Sequence, residues 1–371
     1  MILKNAVIFD ENFDKVNADI KIENGKISEI GEINGENIVD CANCVIAPSF
    51  VDVHIHGCNG GDFSDGIDAM DKMSKYLITK GVTSFCGTTM TLSNEKLTEI
   101  MVNAKKYKGT ESGAKLVGIN LEGPFIAESK KGAQNGSYIR KGTIEEFDQL
   151  NAACGGIVKL IDIAPESFDS EEFIKKASKK ASVSIAHTAA DYEQTMAAFE
   201  QGANHVTHLF NAMTSMTHRE PGVVGAALDC EKVMCEIICD GKHINPAVLR
   251  NVFKILGGDR AVVISDSLKA SGLGEGVFDL GGQDVYVKDG YARLIDGTIA
   301  ASISNIYEEF LNLLSFGIDE KAALKSCTIN PAKSISEDDN IGSIKVGKDA
   351  DLIIFDNEYN IKNVVLKGKI H

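Results

Sequence analysis

Residues 50–57 read FVDVHIHG, an apolar run that ends in two histidines spaced by one residue. Successive side chains of a β-strand point to opposite faces, so His54 and His56 share a face and converge on one point. A lone histidine is common in protein cores, whereas an alternating pair at the end of a strand favours a metal site. This stretch therefore predicts a strand with metal-binding side chains at its carboxyl end.

Working outward from this strand, β-branched runs alternate regularly with amphipathic stretches. The predicted strands are residues 45–53, 83–87, 116–121, 157–163, 183–186, 205–207, 233–238 and 261–265, and the predicted helices are 69–79, 95–106, 145–153, 171–180, 192–201, 246–256 and 305–316. Eight βα repeats predict an α/β fold of the (β/α)8 TIM barrel type. A doubly wound sheet is the alternative, but no GxGxxG motif follows the first strand to support it.

The two ends of the chain have a different texture. Short alternating stretches fill residues 1–49, with the hairpin signal Asn24-Gly25, and return in 342–346, 350–355 and 363–367. We expect a small β-sandwich domain formed by both termini. The predicted domains are residues 1–49, the barrel at 50–335, and 336–371, which completes the small domain.

Composition excludes several classes of function. The 371 residues include 38 Lys and Arg against 53 Asp and Glu, a net charge of −15 that disfavours binding to nucleic acid. An anionic small substrate remains compatible, because a local arginine outweighs a diffuse field that is screened beyond about 10 Å. We find no signal peptide and no stretch that could span a membrane. Nine cysteines, an odd number scattered along the chain, are typical of reduced thiols rather than of a disulfide framework, so we expect a cytoplasmic protein.

Three further reactive side chains follow strands of the predicted barrel. Glu122 follows the third strand, His187 the fifth and His208 the sixth. A carboxylate after an apolar run is costly to desolvate without a cation, and one carboxylate with two imidazoles is a common catalytic zinc set. His205 begins its strand, so we interpret it as a structural histidine.

Asp266 follows the eighth strand. An acid at this position can take a proton from an attacking water and pass it to a leaving amine, although by itself it could equally cap a helix. Beside a metal centre the catalytic interpretation is favoured. Cys58 and Cys86 lack tetrahedral Cys spacing and are interpreted as packing residues.

Several longer motifs resemble one known family. They are GVTSF at 81–85, LEGPF at 121–125, THLFNAM at 207–213, HREPGV at 218–223, DGKH at 240–243 and GKDADL at 347–352. With 48–57, they resemble the amidohydrolase superfamily and, within it, the N-acetylglucosamine-6-phosphate deacetylases. The resemblance runs nearly end to end, and THLFNAM with HREPGV is its most specific part.

This resemblance implies a role for each candidate residue. Glu122, His187 and His208 would bind the principal metal, Asp266 would be the general acid/base, and His54 with His56 would offer a second site. We therefore expect one or two divalent ions per subunit, with Zn, Fe, Mn and Co all compatible. The carbamylated lysine common in the superfamily has no match, because Lys159 lies early in the fourth strand.

The resemblance also implies how substrate is held. Asn211, Ala212, Arg219 and His243 match positions that bind the sugar phosphate, with the arginine reaching across from a neighbouring subunit, so a homodimer is implied. Gln134 stands where many members have a histidine that polarises the acetamide carbonyl. A glutamine can still donate to an oxyanion, as a neutral group. Ala300-Ala301-Ser302 differs slightly from the small-residue run of the family.

The predicted reaction is hydrolysis of N-acetylglucosamine 6-phosphate to glucosamine 6-phosphate and acetate. The galactosamine isomer is an alternative substrate, since one hydroxyl distinguishes the two sugars. A cyclic-amide hydrolase or a deaminase on the same scaffold is the rival enzyme, and a noncatalytic binding protein is the rival of another class. The presence of every proposed ligand and of Asp266 speaks against the last.

Overall fold

Eight parallel strands form the centre of the structure, a computed structural model that describes residues 1–371. Each strand pairs with its neighbour in the sequence, so the strands follow the chain around the sheet. The first to eighth barrel strands are Phe50–Ile55, Val82–Thr88, Lys115–Leu121, Val158–Ile163, Ser182–Ile185, His205–Val206, Met234–Ile237 and Ala261–Val263.

The eighth strand returns to the first at the carboxyl end of the sheet. The backbone N–H of Asp266 donates to the carbonyl of His54 at 2.9 Å, and the carbonyl of Ser267 accepts from His56 at 3.0 Å and from Gly57 at 2.9 Å. These bonds close the sheet next to the predicted metal ligands. The predicted (β/α)8 barrel is confirmed, and the doubly wound alternative is wrong.

Helices surround the barrel and bury its outer face in a cluster of 63 core residues. Local signals set their ends: Asn245 caps the helix that begins with Pro246, and Asp191 forms a capping box with Gln194. None of the helices is long and apolar enough to cross a lipid bilayer. The helices are Ile67–Thr79, Asn94–Lys106, Ile144–Ala153, Glu171–Ala177, Tyr192–Gln201, Gly222–Asp229, Pro246–Leu256, Ile306–Ser315, Glu320–Cys327 and Ile329–Ser334, with short 3-10 turns at Phe63–Asp65, Glu128–Lys130, Gly136–Tyr138 and Pro165–Ser167.

Both chain termini contribute to one separate small sheet, as predicted. Val45–Pro48 pairs antiparallel with Leu352–Phe355, which joins the two ends. The sheet encloses its own cluster of 14 buried core residues. Its other strands are Ile2–Phe9, Lys15–Glu23, Lys26–Gly31, Ile38–Asp40, Ile361–Leu366 and Lys369–Ile370.

Two predicted strands differ from the structure. The predicted strand 45–53 is two strands in two different sheets, because the chain leaves the terminal sheet after Pro48 and enters the barrel at Phe50. Every residue of this run is buried, so the sequence has no alternation that would mark the change of sheet. Residues 342–346 form no strand, although Ile344 is buried in the core of the small domain.

An antiparallel insert follows the eighth barrel strand and was not predicted. Its strands are Gly276–Leu280, Gln283–Lys288 and Tyr291–Arg293. Gly281 and Gly282 make the first turn, with φ values of 59° and 84° that favour glycine. A smaller hairpin, Gly57–Cys58 with Gly61–Asp62, follows the first barrel strand. Both elements lie on the carboxyl side of the strands, where barrel enzymes carry their sites.

Candidate active site

The predicted reactive side chains meet at the carboxyl mouth of the barrel, and all of them are buried. Glu122 directly follows its strand, whereas His187, His208 and Asp266 lie two or three residues beyond theirs. These three residues have φ values of 44°, 28° and 44°. Non-glycine residues rarely adopt this left-handed conformation, and such strain is found mostly at functional sites.

Glu122, His187 and His208 form the first group of converging side chains. Glu122 Oε1 lies 3.0 Å from His187 Nε2 and 3.2 Å from His208 Nε2, and the two nitrogens are 3.2 Å apart. The Lys130 carbonyl lies 2.9 Å from His187 Nδ1 and accepts a hydrogen bond from it. That contact leaves the Nε2 lone pair of His187 facing the other two ligands.

His54, His56 and Asp266 form the second group. Asp266 Oδ1 lies 3.3 Å from His56 Nε2 and 3.6 Å from His54 Nε2. The second oxygen of Glu122, Oε2, lies 3.2 Å from His56 Nε2. Glu122 therefore presents one oxygen to each group.

The side chains of the two groups shift one another's pKa values strongly. Burial alone would lower the pKa of His54, but the charges of Glu236, Glu122 and Asp266 outweigh it and raise that pKa well above the ordinary value. Burial likewise opposes protonation of His56, yet hydrogen bonds to Asp266 and Glu122 raise its pKa to about 9.

The carboxylates respond in the opposite direction. Burial alone would raise the pKa of Glu122, but the charge of His54 and hydrogen bonds from His187 and His208 hold it well below the ordinary range. The pKa of Asp266 is also lowered, because the charge of His54 and the hydrogen bond with His56 outweigh burial. In the metal-free protein, the buried carboxylates are thus balanced by the charge of the imidazoles. A bound metal cation would take the place of the imidazole protons.

This donor set fits divalent metal ions. In each group, one ligand atom from every residue lies within 4.8 Å of the others. The buried Nε2 atom of His54 has no hydrogen-bond partner, although it points at the carboxylates. Imidazole and carboxylate ligands suit Zn, Fe, Mn and Co alike. Lys159 forms an ion pair with Glu337 at 2.6 Å instead of entering the site.

A cavity of about 300 Å³ opens above the two groups. Three of the four residues predicted to bind the sugar phosphate line it: Asn211, Ala212 and His243. His243 Nδ1 lies 2.8 Å from Asp240 Oδ2, which fixes the imidazole at the wall. Arg219, the fourth, is exposed and does not line the cavity of its own chain.

Residues 45–371 match the family model described as the amidohydrolase family. The chain belongs to the amidohydrolase family. It is 36% identical to the N-acetylglucosamine-6-phosphate deacetylase of Bacillus subtilis (strain 168), with 100% of this chain and 96% of the relative covered. It is 30% identical to the N-acetylgalactosamine-6-phosphate deacetylase of Escherichia coli O157:H7, over 88% of this chain and 87% of the relative.

A solved structure gives the same family. The crystal structure of N-acetylglucosamine-6-phosphate deacetylase from Pasteurella multocida superposes with a TM-score of 0.93 at 29% identity, covering 100% of this chain and 99% of that one. The family membership inferred from the motifs is thereby confirmed.

Gln134 stands at the wall of this amidohydrolase cavity, in contact with a proposed ligand. Its Nε2 donates to Glu122 Oε2 at 2.7 Å, and its Oε1 accepts the backbone N–H of Thr91 at 2.7 Å. The loop that carries it is tied to the antiparallel insert, because Gln283 Nε2 donates to the carbonyl of Ala133. The insert region also gives the cavity Leu280, Thr298 and Ile299, which sequence reasoning missed, and Ala301, which belongs to the segment singled out from the sequence.

One buried carboxylate beneath the amidohydrolase site, that of Glu236, was not identified in the sequence analysis. Glu236 in the seventh strand is fully buried, and its Oε2 lies 2.9 Å from His54 Nδ1. The available sequence signal for Glu236 was an acid inside the apolar run 233–238.

The residues interpreted from the sequence as structural lie outside the site. His205 belongs to neither ligand group, and its Nδ1 lies 3.1 Å from Ser184 Oγ. Cys58 and Cys86 are buried free thiols and belong to neither group.

Proposed function

We propose that this amidohydrolase hydrolyses N-acetylglucosamine 6-phosphate to glucosamine 6-phosphate and acetate. The observation that carries the proposal is Glu122, which presents one oxygen to each of two groups of metal-ligating side chains on the floor of a cavity of about 300 Å³. The 36% identity to a deacetylase over the whole chain supports the choice of substrate.

Each ligand group would bind one metal ion. Glu122, His187 and His208 would hold the principal divalent ion, and His54 with His56 would hold a second next to Asp266. Zn, Fe, Mn and Co all suit these donors. When bound, such ions polarise a carbonyl and lower the pKa of a coordinated water.

Asp266 is the group that moves the proton. In the metal-free protein the charge of His54 and the hydrogen bond with His56 hold its pKa below the ordinary value against the effect of burial. A bound cation would likewise favour the ionised carboxylate, which can accept a proton from the attacking water. The same oxygen can then return that proton to the leaving amine nitrogen. Gln134 has one amide hydrogen engaged by Glu122, and the other remains for the oxyanion that develops on the acetamide.

The sugar phosphate would be held by Asn211, Ala212 and His243, with Arg219 supplied by a second copy of the chain. A homodimer follows from this arrangement. Two observations support the dimer. Arg219 is exposed and does not line the cavity of its own chain. The net charge of −15 would repel a phosphate, so its binding requires a local cation. An arginine fork suits phosphate because it makes paired charge-assisted hydrogen bonds.

The second candidate substrate is N-acetylgalactosamine 6-phosphate. The Escherichia coli relative of that name is 30% identical over 88% of this chain, and the two sugars differ in the orientation of one hydroxyl. We place the protein in the cytoplasm, because its nine cysteines are all free thiols and such a composition is typical of a reducing compartment.

Turnover of a substrate panel tests the proposal, measured as acetate release from the N-acetylated sugars, ring opening of a cyclic amide and ammonia release from an aminopurine. Metal-reconstituted protein is assayed with the two N-acetylamino sugar 6-phosphates, with unphosphorylated N-acetylglucosamine, with a cyclic amide and with an aminopurine. We expect the highest kcat/KM for N-acetylglucosamine 6-phosphate. Preference for the galacto isomer would select the second candidate, and turnover of only the cyclic amide or the aminopurine would refute deacetylation.

A further inference from the structure

Glu236 is a fully buried carboxylate in the seventh barrel strand, below the cavity floor. Its Oε2 atom lies 2.9 Å from Nδ1 of His54 and accepts the backbone N–H of His208 at 3.3 Å. Its backbone carbonyl accepts the N–H of Leu209 at 2.8 Å. One glutamate therefore contacts a residue from each of the two ligand groups without lining the cavity.

The contact with His54 decides which ring nitrogen faces the site. The same Oε2 atom accepts the backbone N–H of His208, so it acts as an acceptor and His54 Nδ1 carries the hydrogen in this pair. In the neutral ring the lone pair then lies on Nε2. That atom is buried, has no hydrogen-bond partner, and lies 3.6 Å from Asp266 Oδ1 and 3.8 Å from Glu122 Oε1.

The contact with His208 acts on the backbone. His208 has a φ of 28°, a conformation that a non-glycine residue keeps only when its surroundings hold it there. Glu236 accepts hydrogen bonds from the N–H groups of His208 and Leu209, through its side chain and its carbonyl. The turn that carries the His208 imidazole to the mouth of the barrel is thus fixed from below.

We propose that Glu236 is a positioning residue of the metal centre, which presents His54 Nε2 to a divalent cation and holds the His208 turn in place. This inference rests on the metal-dependent function proposed above. Carboxylates that hold the far nitrogen of a metal-bound histidine orient the ring and make it a stronger ligand. A merely structural glutamate would affect the folding stability of the barrel but not the choice of the ligating nitrogen.

Two variants and one matched control separate these roles. Glu236→Gln keeps the volume but loses the charge, and Glu236→Asp keeps the charge but withdraws it from His54. Glu309→Gln is the control, because Glu309 is equally buried, accepts a hydrogen bond from Ser304 and belongs to neither ligand group. Metal content is measured by elemental analysis, and affinity by competition with a chelator, using zinc as the probe. We expect affinity to fall about 10- to 100-fold in Glu236→Gln and less in Glu236→Asp, with no change in Glu309→Gln.

The wild-type protein supplies a test that needs no variant. With ¹⁵N-labelled histidine and zinc bound, the nitrogen signals of His54, assigned from a His54→Gln variant, should report a proton on Nδ1 and zinc on Nε2. A proton on Nε2 would overturn the proposal, as would a folded Glu236→Gln protein with wild-type zinc affinity. A wild-type protein that binds one zinc ion per chain, with neither ring nitrogen of His54 bound to it, would overturn both the second site and the role of Glu236. If the wild-type protein binds zinc through His54 Nε2 but releases no acetate, the proposed function is wrong and the role of Glu236 still stands.

Discussion

Gln134 and Glu122 are joined by a hydrogen bond of 2.7 Å from the amide Nε2 to the carboxylate Oε2. The other end of the amide is fixed by the backbone N–H of Thr91, which donates to Gln134 Oε1 at 2.7 Å. Because the carbonyl must face this donor, the NH₂ group must face Glu122 and the cavity. The amide therefore orients a proposed metal ligand with one hydrogen and has a second hydrogen free for substrate.

Replacement of Gln134 by alanine should lower kcat/KM by about 100- to 1000-fold, the usual scale for loss of an oxyanion donor. Gln134→His restores a donor and should recover activity. The pH profile of this variant should also show an added ionisation near the ordinary pKa of histidine, about 6.5. The wild-type profile lacks this ionisation at residue 134, because the glutamine amide does not titrate. The measurement is kcat/KM for acetate release across this pH range. Near-normal activity of Gln134→Ala would remove the residue from the mechanism.

Asp266→Asn should lower kcat by at least about 100-fold, because an amide cannot shuttle the proton. The variant should fold, since the contacts of this side chain are with His54 and His56 at the cavity floor. Asp19→Asn is a suitable control: Asp19 is a buried acid of the terminal sheet that accepts the backbone N–H groups of Asn5 and Ile33. The control should lose Tm and keep kcat, so an Asp266→Asn enzyme with normal turnover would disprove the assigned role.

Protein purified without chelators should contain close to two divalent ions per chain. Each ligand group brings three nitrogen or oxygen atoms together, and Glu122 contacts both groups. The double variant His54→Gln, His56→Asn should retain one ion at Glu122, His187 and His208. Elemental analysis after reconstitution checks both numbers, and a wild-type value that stays near one would exclude the second site.

The barrel and the ligand positions were predictable because both follow from local patterns. Eight apolar runs with reactive residues at their ends require only strand periodicity and the rule that parallel strands place their carboxyl ends on one face. The change of sheet at Ser49 was not predictable in this way, because the run on both sides of it is buried in the structure. The insert could have been found from its Gly281-Gly282 turn between alternating residues.

The role of Glu236 lay beyond sequence reasoning for a different reason. An acid within an apolar strand signals a buried partner, but the partner here is His54, 182 positions away in the chain. Only the closure of the barrel brings the seventh strand near the first, with the eighth strand between them. Arg219 is the opposite case, because its sequence motif already indicates phosphate binding, whereas the cavity of its own chain does not include it.

Metal affinity should rise with pH between about pH 6 and 9, since a cation must displace protons from the imidazoles. The sign follows from the raised pKa of His56, about 9 in the metal-free protein: below that pH the ring is protonated and competes with the metal. Competition titrations at several pH values should give weaker binding in acid and proton release on metal uptake near neutral pH. An affinity independent of pH over this range would show that the imidazoles are not ligands.

Arg219→Ala should damage turnover of the phosphorylated sugar far more than turnover of the unphosphorylated one. A charge-assisted contact to phosphate contributes about 1.5 to 3 kcal/mol, which corresponds to roughly 10- to 150-fold in kcat/KM. The unphosphorylated sugar never makes this contact, so its kcat/KM should change little. Arg250→Ala is the control, because Arg250 is also exposed and its guanidinium donates only to the carbonyl of Phe316. Equal losses for both sugars would argue against phosphate recognition.

Mixing two impaired variants tests whether Arg219 acts across a subunit boundary. An Arg219→Ala chain keeps Asp266 but lacks the arginine, and an Asp266→Asn chain has the opposite defect. In a mixed dimer with exchanged arginines, one site combines the intact Asp266 of the first chain with the intact Arg219 of the second, while the other site has neither. Random exchange makes about half of the dimers mixed, and each mixed dimer has one repaired site of two. About a quarter of all sites are then repaired, so total activity should return to about a quarter of the wild-type value, above that of either parent. If tagged chains prove that mixed dimers form and no activity returns, Arg219 acts within its own chain or has no part in the reaction.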